Sequence, residues 1–258
     1  MTPPVFLVLT SALAEARADS IVRISGPEGR HAATVRRLAP GEAVTLVDGE
    51  GRWAAGTVAS VPDRETVDVT IGDVTLDAEP SPRVVVVQAL AKGDRGERAV
   101  ELLTEVGVDA IVPWSAARCV AAWRGDRAER GHRRWVDAAM AAAKQSRRTR
   151  FPLVEPLTTT ADVLDRVRAA QYAIVLDETA GSYLAHHPLP DAGEALVIVG
   201  PEGGLTDEER AVFVAAGAVP VRLGPSVLRT SSAGMAAVAA LLATTPRWAP
   251  TASDGMGG

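Results

Sequence analysis

The sequence predicts an α/β fold in which a parallel sheet follows a small β-rich domain. Short β-branched or alternating segments, separated by turn residues, fill positions 1–75. From position 83 onward, strand-like segments alternate with helix-like ones, which indicates a parallel sheet. Residues 84–87 form a continuous apolar run, typical of a strand that is covered on both faces.

The β-rich domain is expected to contain five strands and one short helix. Asp48-Gly49 is a hairpin signal, and Gly26-Pro27 indicates a turn. The helix is expected at 31–38, and the strands at 5–9, 21–24, 43–47, 52–59 and 66–71. The polar stretch 76–82 contains two prolines and is interpreted as a linker between domains.

The second domain, residues 83–245, is expected to alternate strands and helices. Val100, Leu103 and Val106 share one stripe of a helix predicted over 97–106. Thr206 and Glu209 form a capping box, so another helix should begin there. The other helices are predicted at 129–145, 161–170 and 232–243, and the strands at 84–87, 111–114, 172–176, 196–199 and 219–223. Residues 246–258 are predicted to be a disordered tail.

Composition limits the function classes. No apolar run approaches the length of a membrane span. A single cysteine, Cys119, excludes an intrachain disulfide framework and fits a reducing cytoplasm. No Cys or His cluster has the spacing of a zinc site, so no metal is expected.

The net charge of −5 argues against nucleic-acid binding through overall charge, so any such binding needs a local basic cluster. Residues 123–150 contain nine Arg and Lys against three acidic residues. Arg147 and Arg148 are candidate RNA contacts within this run, and Arg36 and Arg37 are candidates in the first domain. A solvated helix face is the alternative interpretation of each cluster.

Two glycine-bearing turns follow predicted strands. Gly200-Pro201-Glu202-Gly203-Gly204 follows the strand at 196–199, and a second turn follows the strand at 219–223. A strand, a glycine turn and a helix N-terminus commonly form a ligand site in α/β proteins. A tight connection without a ligand remains the alternative.

Together the two turns resemble the C-terminal signature of the SPOUT RNA methyltransferases, and of the RsmE family in particular. That signature is a GPEGG turn followed here by Leu223-Gly224-Pro225-Ser226-Val227-Leu228-Arg229-Thr230. The resemblance extends upstream to Leu90-Ala91-Lys92-Gly93-Asp94-Arg95, Glu105-Val106-Gly107-Val108-Asp109, Arg118-Cys119-Val120 and Lys144-Gln145-Ser146.

The resemblance implies a SPOUT-type parallel sheet with a trefoil knot, preceded by a PUA-like barrel that binds RNA. It also implies a cytoplasmic homodimer that uses S-adenosylmethionine to methylate N3 of one uridine in 16S ribosomal RNA of the small subunit. Lys92 and Arg95 would contact the RNA. The implied cofactor-binding residues are Leu176, Glu178, Gly200, Pro201, Glu202, Gly203, Leu223, Gly224, Val227, Leu228 and Thr230.

Arg229 is the candidate catalytic residue, because a guanidinium can stabilise the negative charge that develops on the uracil oxygens. Pairing with a carboxylate at a dimer interface is the alternative role. Ser231-Ser232-Ala233 stands where the family commonly has Glu-Thr-Ala, so no general base is named. Two other functions stay open: methylation of a ribose 2′-hydroxyl or of transfer RNA, and a catalytically silent RNA-binding assembly factor.

Overall fold

The computed structural model describes residues 2–248 and divides into two compact units. The first unit runs to Glu79 and also includes Ala143–Phe151. The second includes Pro80–Ala142 and continues from Pro152.

The first unit contains a six-stranded sheet with the order β1-β3-β4-β5-β2, in which β6 also pairs with β4. β1 runs parallel to β3, and the other pairs are antiparallel. The predicted hairpin is confirmed: Asp48 Oδ1 accepts hydrogen bonds from the backbone N–H of Glu50 and Arg52 at 2.7 and 2.9 Å. The strands are β1 Val5–Leu7, β2 Ile21–Ile24, β3 Ala43–Val47, β4 Arg52–Ser60, β5 Val67–Ile71 and β6 Thr75–Leu76.

One local prediction in this unit was wrong, and one short helix was not predicted. Gly26-Pro27 does not form a turn but begins helix α2, Gly26–Arg30, which continues into a π-helical turn at His31–Val35. Proline is favoured in the first turn of a helix because its missing N–H would be unpaired there anyway. Helix α1, Thr10–Ala14, was not predicted, since its five residues bury only Leu13 and show no helical period.

The second unit contains a six-stranded parallel sheet with the order β12-β10-β11-β7-β8-β9, as the alternation of strands and helices predicted. The trefoil knot stays a prediction. The strands are β7 Arg83–Ala89, β8 Ala110–Trp114, β9 Leu153–Val154, β10 Tyr172–Leu176, β11 Glu194–Val199 and β12 Val219–Val221. The helices are α3 Arg95–Val106, α4 Asp126–Gln145, α5 Thr160–Ala169, α6 Asp207–Ala216 and α7 Thr230–Leu242.

Strand β7 shows why its sequence is apolar throughout. Val84 and Val86 pack into the core that also contains buried residues of α3, α4 and α7. Val85 and Val87 face the opposite core, which contains residues of α5 and α6. Because successive side chains of a strand alternate between faces, a sheet covered on both sides needs apolar residues at every position.

The C-terminal region is ordered further than predicted. Pro246–Trp248 forms a 3-10 turn, and Nη1 and Nη2 of Arg247 donate to the carboxylate of Asp109 at 2.7 and 3.1 Å. The predicted disorder is therefore wrong for residues 246–248, and the rest of the predicted tail lies outside the described residues. Among residues 2–248, no helix is long and apolar enough to cross a membrane.

Candidate functional site

Three neighbouring strands of the parallel sheet end at one cavity. β12, β10 and β11 are adjacent and parallel, so their carboxyl ends lie at the same edge. Their last residues, Val221, Leu176 and Val199, line a cavity of about 390 Å³. This volume lies within the range of small-molecule sites, and the edge is where open α/β sheets bind ligands.

The cavity gathers most of the residues singled out in the sequence. Gly203 is the exception among the predicted cofactor residues, because it lies against Arg118, whose Nη1 donates to the Gly203 carbonyl at 3.1 Å. Arg229 and Arg95 also line the cavity. The predicted cofactor residues that line it are Leu176, Glu178, Gly200, Pro201, Glu202, Leu223, Gly224, Val227, Leu228 and Thr230.

The glycine turn is held in place by the start of helix α6. The predicted capping box is confirmed: Thr206 Oγ1 accepts from the Glu209 N–H, and Glu209 Oε2 accepts from the Thr206 N–H, both at 3.0 Å. Glu209 is buried and also accepts the backbone N–H of Ala117 through Oε1 at 2.8 Å. Gly204 has a φ of 69°, a left-handed conformation that favours glycine.

Glu202 connects the turn to the start of helix α3 and to Lys92, just before it. Its Oε1 accepts hydrogen bonds from the Lys92 backbone N–H at 3.0 Å and from Arg95 Nη1 at 3.3 Å. Partial burial alone would raise the pKa of Glu202, but these bonds and its own backbone N–H lower the pKa below its ordinary value. Glu202 is therefore an ionised carboxylate at neutral pH.

Asp177 also lines the cavity, although it was not among the predicted cofactor-binding residues. It is buried at the end of β10 and forms an ion pair with Arg210 of α6. It also accepts from the Thr179 N–H at 2.9 Å and the Thr179 hydroxyl at 2.7 Å. Burial would raise the pKa of Asp177, but Arg210 and Thr179 lower it overall. An aspartate directly after a buried strand was the sequence signal for this position.

Gln88 was not among the predicted site residues either, although it is a polar residue near the end of an apolar strand. It is fully buried, and its Nε2 donates to Thr230 Oγ1 at 3.1 Å. Thr230 Oγ1 in turn donates to the Gly200 carbonyl at 2.6 Å. This chain of hydrogen bonds joins β7, the first turn of α7 and the glycine turn.

Arg229 precedes helix α7 and exposes its side chain at the cavity. Its guanidinium forms no ion pair with any residue in the described range 2–248. Val227 and Leu228, just before it, are 75% and 41% exposed although both are apolar. The cavity thus presents an unpaired cation beside apolar side chains that a ligand could cover.

Comparison with known proteins identifies the family. The family described as RNA methyltransferase domain matches residues 78–242, and the one described as RNA methyltransferase PUA domain matches residues 24–72. The chain is 44% identical over 239 residues to ribosomal RNA small subunit methyltransferase E of Mycobacterium tuberculosis, with 91% of each chain covered. The chain belongs to the ribosomal RNA small subunit methyltransferase E family.

Two further members of this methyltransferase E family support the same assignment. The Bacillus subtilis protein is 29% identical over 225 residues, which cover 84% of this chain and 88% of that protein. The crystal structure of the Neisseria gonorrhoeae protein bound to S-adenosyl methionine superposes with a TM-score of 0.84 at 25% identity, and covers 96% of this chain and all of that one. The predicted family and the mixed α/β fold class are therefore confirmed.

The basic residues predicted to contact RNA differ in their surroundings. Arg36, Arg37 and Arg147 are exposed and lie in the first unit. Lys92 lies in the second unit, and its side chain does not line the cavity. Two cations of the 123–150 run bind within the first unit: Lys144 pairs with Glu28 at 2.5 Å, and Arg150 Nη2 donates to the Asp77 carbonyl at 2.7 Å. Lys144 and Arg150 therefore already bind polar groups of the protein itself.

The remaining candidates for chemistry are metal-ligating side chains and the single cysteine. Within residues 2–248, no group of three or more His, Cys, Asp or Glu side chains is arranged to hold a metal ion. The single cysteine, Cys119, is half-buried, and this burial raises the pKa of its thiol. A raised thiol pKa disfavours the reactive thiolate.

Proposed function

We propose that this chain transfers the methyl group of S-adenosylmethionine to N3 of one uridine in the 16S ribosomal RNA of the small subunit. The observation that carries the proposal is the unpaired Arg229 guanidinium at a cavity formed by three neighbouring strand ends. Membership of the ribosomal RNA small subunit methyltransferase E family and the S-adenosyl methionine bound to the Neisseria gonorrhoeae relative support it.

The cavity residues fit this cofactor. Leu176, Leu223 and Val227 offer apolar surface to an adenine ring, and the glycine turn lets the backbone approach a ligand closely. The carboxylates of Glu178 and Glu202 can face its cationic groups. When bound, S-adenosylmethionine supplies an electrophilic methyl group on its sulfonium. Gly203 does not line the cavity, and its carbonyl accepts a hydrogen bond from Arg118.

Arg229 acts on the uracil ring. Methylation at N3 releases S-adenosylhomocysteine and requires loss of the N3 proton, which passes to solvent in this proposal and leaves negative charge on the neighbouring carbonyl oxygens. The Arg229 guanidinium donates hydrogen bonds to one of these oxygens and stabilises the charge as it develops. Holding N3 in line with the methyl group supplies the rest of the rate enhancement that this chain provides.

The described carboxylates limit the choice of a proton acceptor. Asp177 and Glu202 both have lowered pKa values, which makes them poor general bases near neutral pH. Ser231 and Ser232 stand where the family commonly has glutamate and threonine, and the Ser232 hydroxyl donates to the Arg229 carbonyl at 3.2 Å. This serine therefore stabilises the first turn of α7, and the proposal assigns it no acid–base role.

The wider assignment belongs to the same proposal. The protein works in the cytoplasm as a homodimer, with residues 1–75 as an RNA-binding PUA-like domain and residues 83–245 as a knotted SPOUT domain. The small residues of α7, such as Ala236 and Ala239, allow close packing of a second copy. Arg36, Arg37, Lys92, Arg95, Arg147 and Arg148 contact the RNA.

The test uses small ribosomal subunits from cells that lack the protein. They are incubated with the purified chain and S-adenosylmethionine, and primer-extension stops are mapped, because a methyl group on N3 blocks Watson–Crick pairing. One new stop at a uridine, absent with Arg229→Ala, is the expected result. Methyl incorporation without a stop would indicate a ribose or another base position. Cofactor binding without incorporation would indicate a silent RNA-binding factor.

A further inference from the structure

A second cavity in the same unit contains aromatic and cationic side chains that the proposed reaction does not use. It has a volume of about 680 Å³ and lies between the start of α3 and the N-terminal half of α4. We propose that this cavity binds one unstacked nucleotide of the substrate RNA, next to the nucleotide that is methylated. This inference rests on the proposed function, since it concerns the same RNA. Its central residues are Gly96, Glu97, Trp123, Arg127, Arg130 and Trp135.

The aromatic wall of the cavity is built by two tryptophans and two glycines. The rings of Trp123 and Trp135 meet edge to face, with centroids 5.1 Å apart and an interplanar angle of 80°. A Cβ on Gly131 would come within 2.4 Å of the Trp123 ring, and one on Gly96 within 3.0 Å of Trp135. Each glycine therefore leaves space for an indole ring.

Trp123 differs from Trp135 in its exposure. Trp135 is 2% exposed and belongs to the core, whereas Trp123 is half-buried and lines the cavity. The Trp123 ring packs against Gly131 and Trp135, so its aromatic surface is positioned before any ligand binds. Rigid aromatic side chains of this kind provide stacking platforms for unpaired bases in RNA-binding proteins.

The cationic side of the cavity comes from one face of α4. Arg127, Arg130 and Arg134 recur at helical spacing and line the cavity together. Arg134 Nε pairs with Glu97 at 2.9 Å. Arg127 and Arg130 are exposed, and neither forms an ion pair with another residue in the described part of the chain. Two guanidinium groups are thus available for a phosphate, which they can bind in bidentate geometry.

A short segment connects this cavity to the candidate active site. Arg95 lines the first cavity and bonds to Glu202, while its neighbours Asp94 and Gly96 line the second. A ligand that extends past this segment can occupy both cavities. A polynucleotide fits this arrangement better than an acidic peptide, because each of its units has both a base to stack on Trp123 and a phosphate for the arginines.

The test compares Arg127→Gln/Arg130→Gln with Arg133→Gln, which removes an exposed arginine of α4 that does not line the cavity. RNA affinity is measured by filter binding with a single-stranded oligonucleotide that spans the methylated uridine, at several salt concentrations. The double variant should weaken binding about tenfold and reduce the salt slope, since each lost phosphate contact lowers that slope. The Arg133 variant should bind like the parent chain.

Trp123→Leu adds a second readout, because the loss of stacking should weaken RNA binding without changing its salt slope. Cofactor affinity should stay unchanged in every variant, which shows that the fold is intact. The inference is overturned if the double variant binds RNA as Arg133→Gln does, or if it loses affinity only for a polyglutamate peptide. RNA binding that depends on these residues, without any methylation, would contradict the proposed function and leave this inference standing.

Discussion

Gln88 Nε2 and Thr230 Oγ1 lie 3.1 Å apart and connect two elements that are 142 residues apart in the sequence. The Thr230 hydroxyl also donates a hydrogen bond to the Gly200 carbonyl. Burying a polar side chain in a sheet is costly unless it is hydrogen-bonded. Gln88 therefore has a positional role: it holds the first turn of α7 against the glycine turn, and both line the cavity.

Thr230→Val should weaken cofactor binding because it removes the hydroxyl and leaves the shape almost unchanged. The Gly200 carbonyl and the Gln88 amide would each lose a partner, and an unpaired buried polar group costs about 1–3 kcal/mol of folding stability. Isothermal titration with S-adenosylmethionine measures the effect. Thr230→Ser keeps the hydroxyl and should bind nearly as the parent does; equal losses in both variants would contradict the role of the hydrogen bond.

Arg247→Gln should destabilise the second unit, because Arg247 anchors the end of α7 to Asp109 and to the Gly107 and Pro82 carbonyls. Breaking a largely buried pair typically costs about 3–5 kcal/mol. The free energy of unfolding in urea measures this. The control is Arg168→Gln, whose pair with Asp165 is exposed and should contribute about 1 kcal/mol or less. Similar losses for both would refute the anchoring role.

Asp177→Asn should change how stability depends on pH. The pKa of Asp177 in the folded chain is below its ordinary value of 3.8, so the folded state binds fewer protons there than the unfolded state. The stability from the Arg210 pair is thus fully present above the ordinary pKa and is lost as the pH falls through the folded pKa. Unfolding free energies between roughly pH 5 and pH 2 should fall less steeply in Asp177→Asn than in the parent.

Arg147→Glu should weaken RNA binding and leave cofactor binding intact, because Arg147 is exposed and lies in the first unit, whereas the cavity residues all belong to the second unit. Arg147→Gln separates the loss of positive charge from the added negative charge and should reduce the salt slope of RNA binding by about one. Charge reversal at Arg148 should weaken RNA binding too. Arg148 is half-buried and interacts within the chain, so its variant also needs a stability measurement.

Several features followed from the sequence alone because their causes are local. The apolar run at 84–87 predicts a strand that is covered on both faces, and β7 has this environment. The Thr206–Glu209 capping box acts over three residues and forms as expected. The family resemblance came from the motif around Gly200 and Arg229, which also placed most of the cavity residues.

The tertiary structure decided the rest, because those features depend on which distant segments meet. Gly203 belongs to the predicted motif, yet it lies against Arg118 and does not line the cavity. The basic residues of 123–150 are divided between the two units, because the first unit takes in the chain from Ala143. Arg127 and Arg130 line the second cavity together with Trp123. Local sequence encodes short-range hydrogen bonds and periodicity, whereas the order of strands in a sheet determines which side chains share a site.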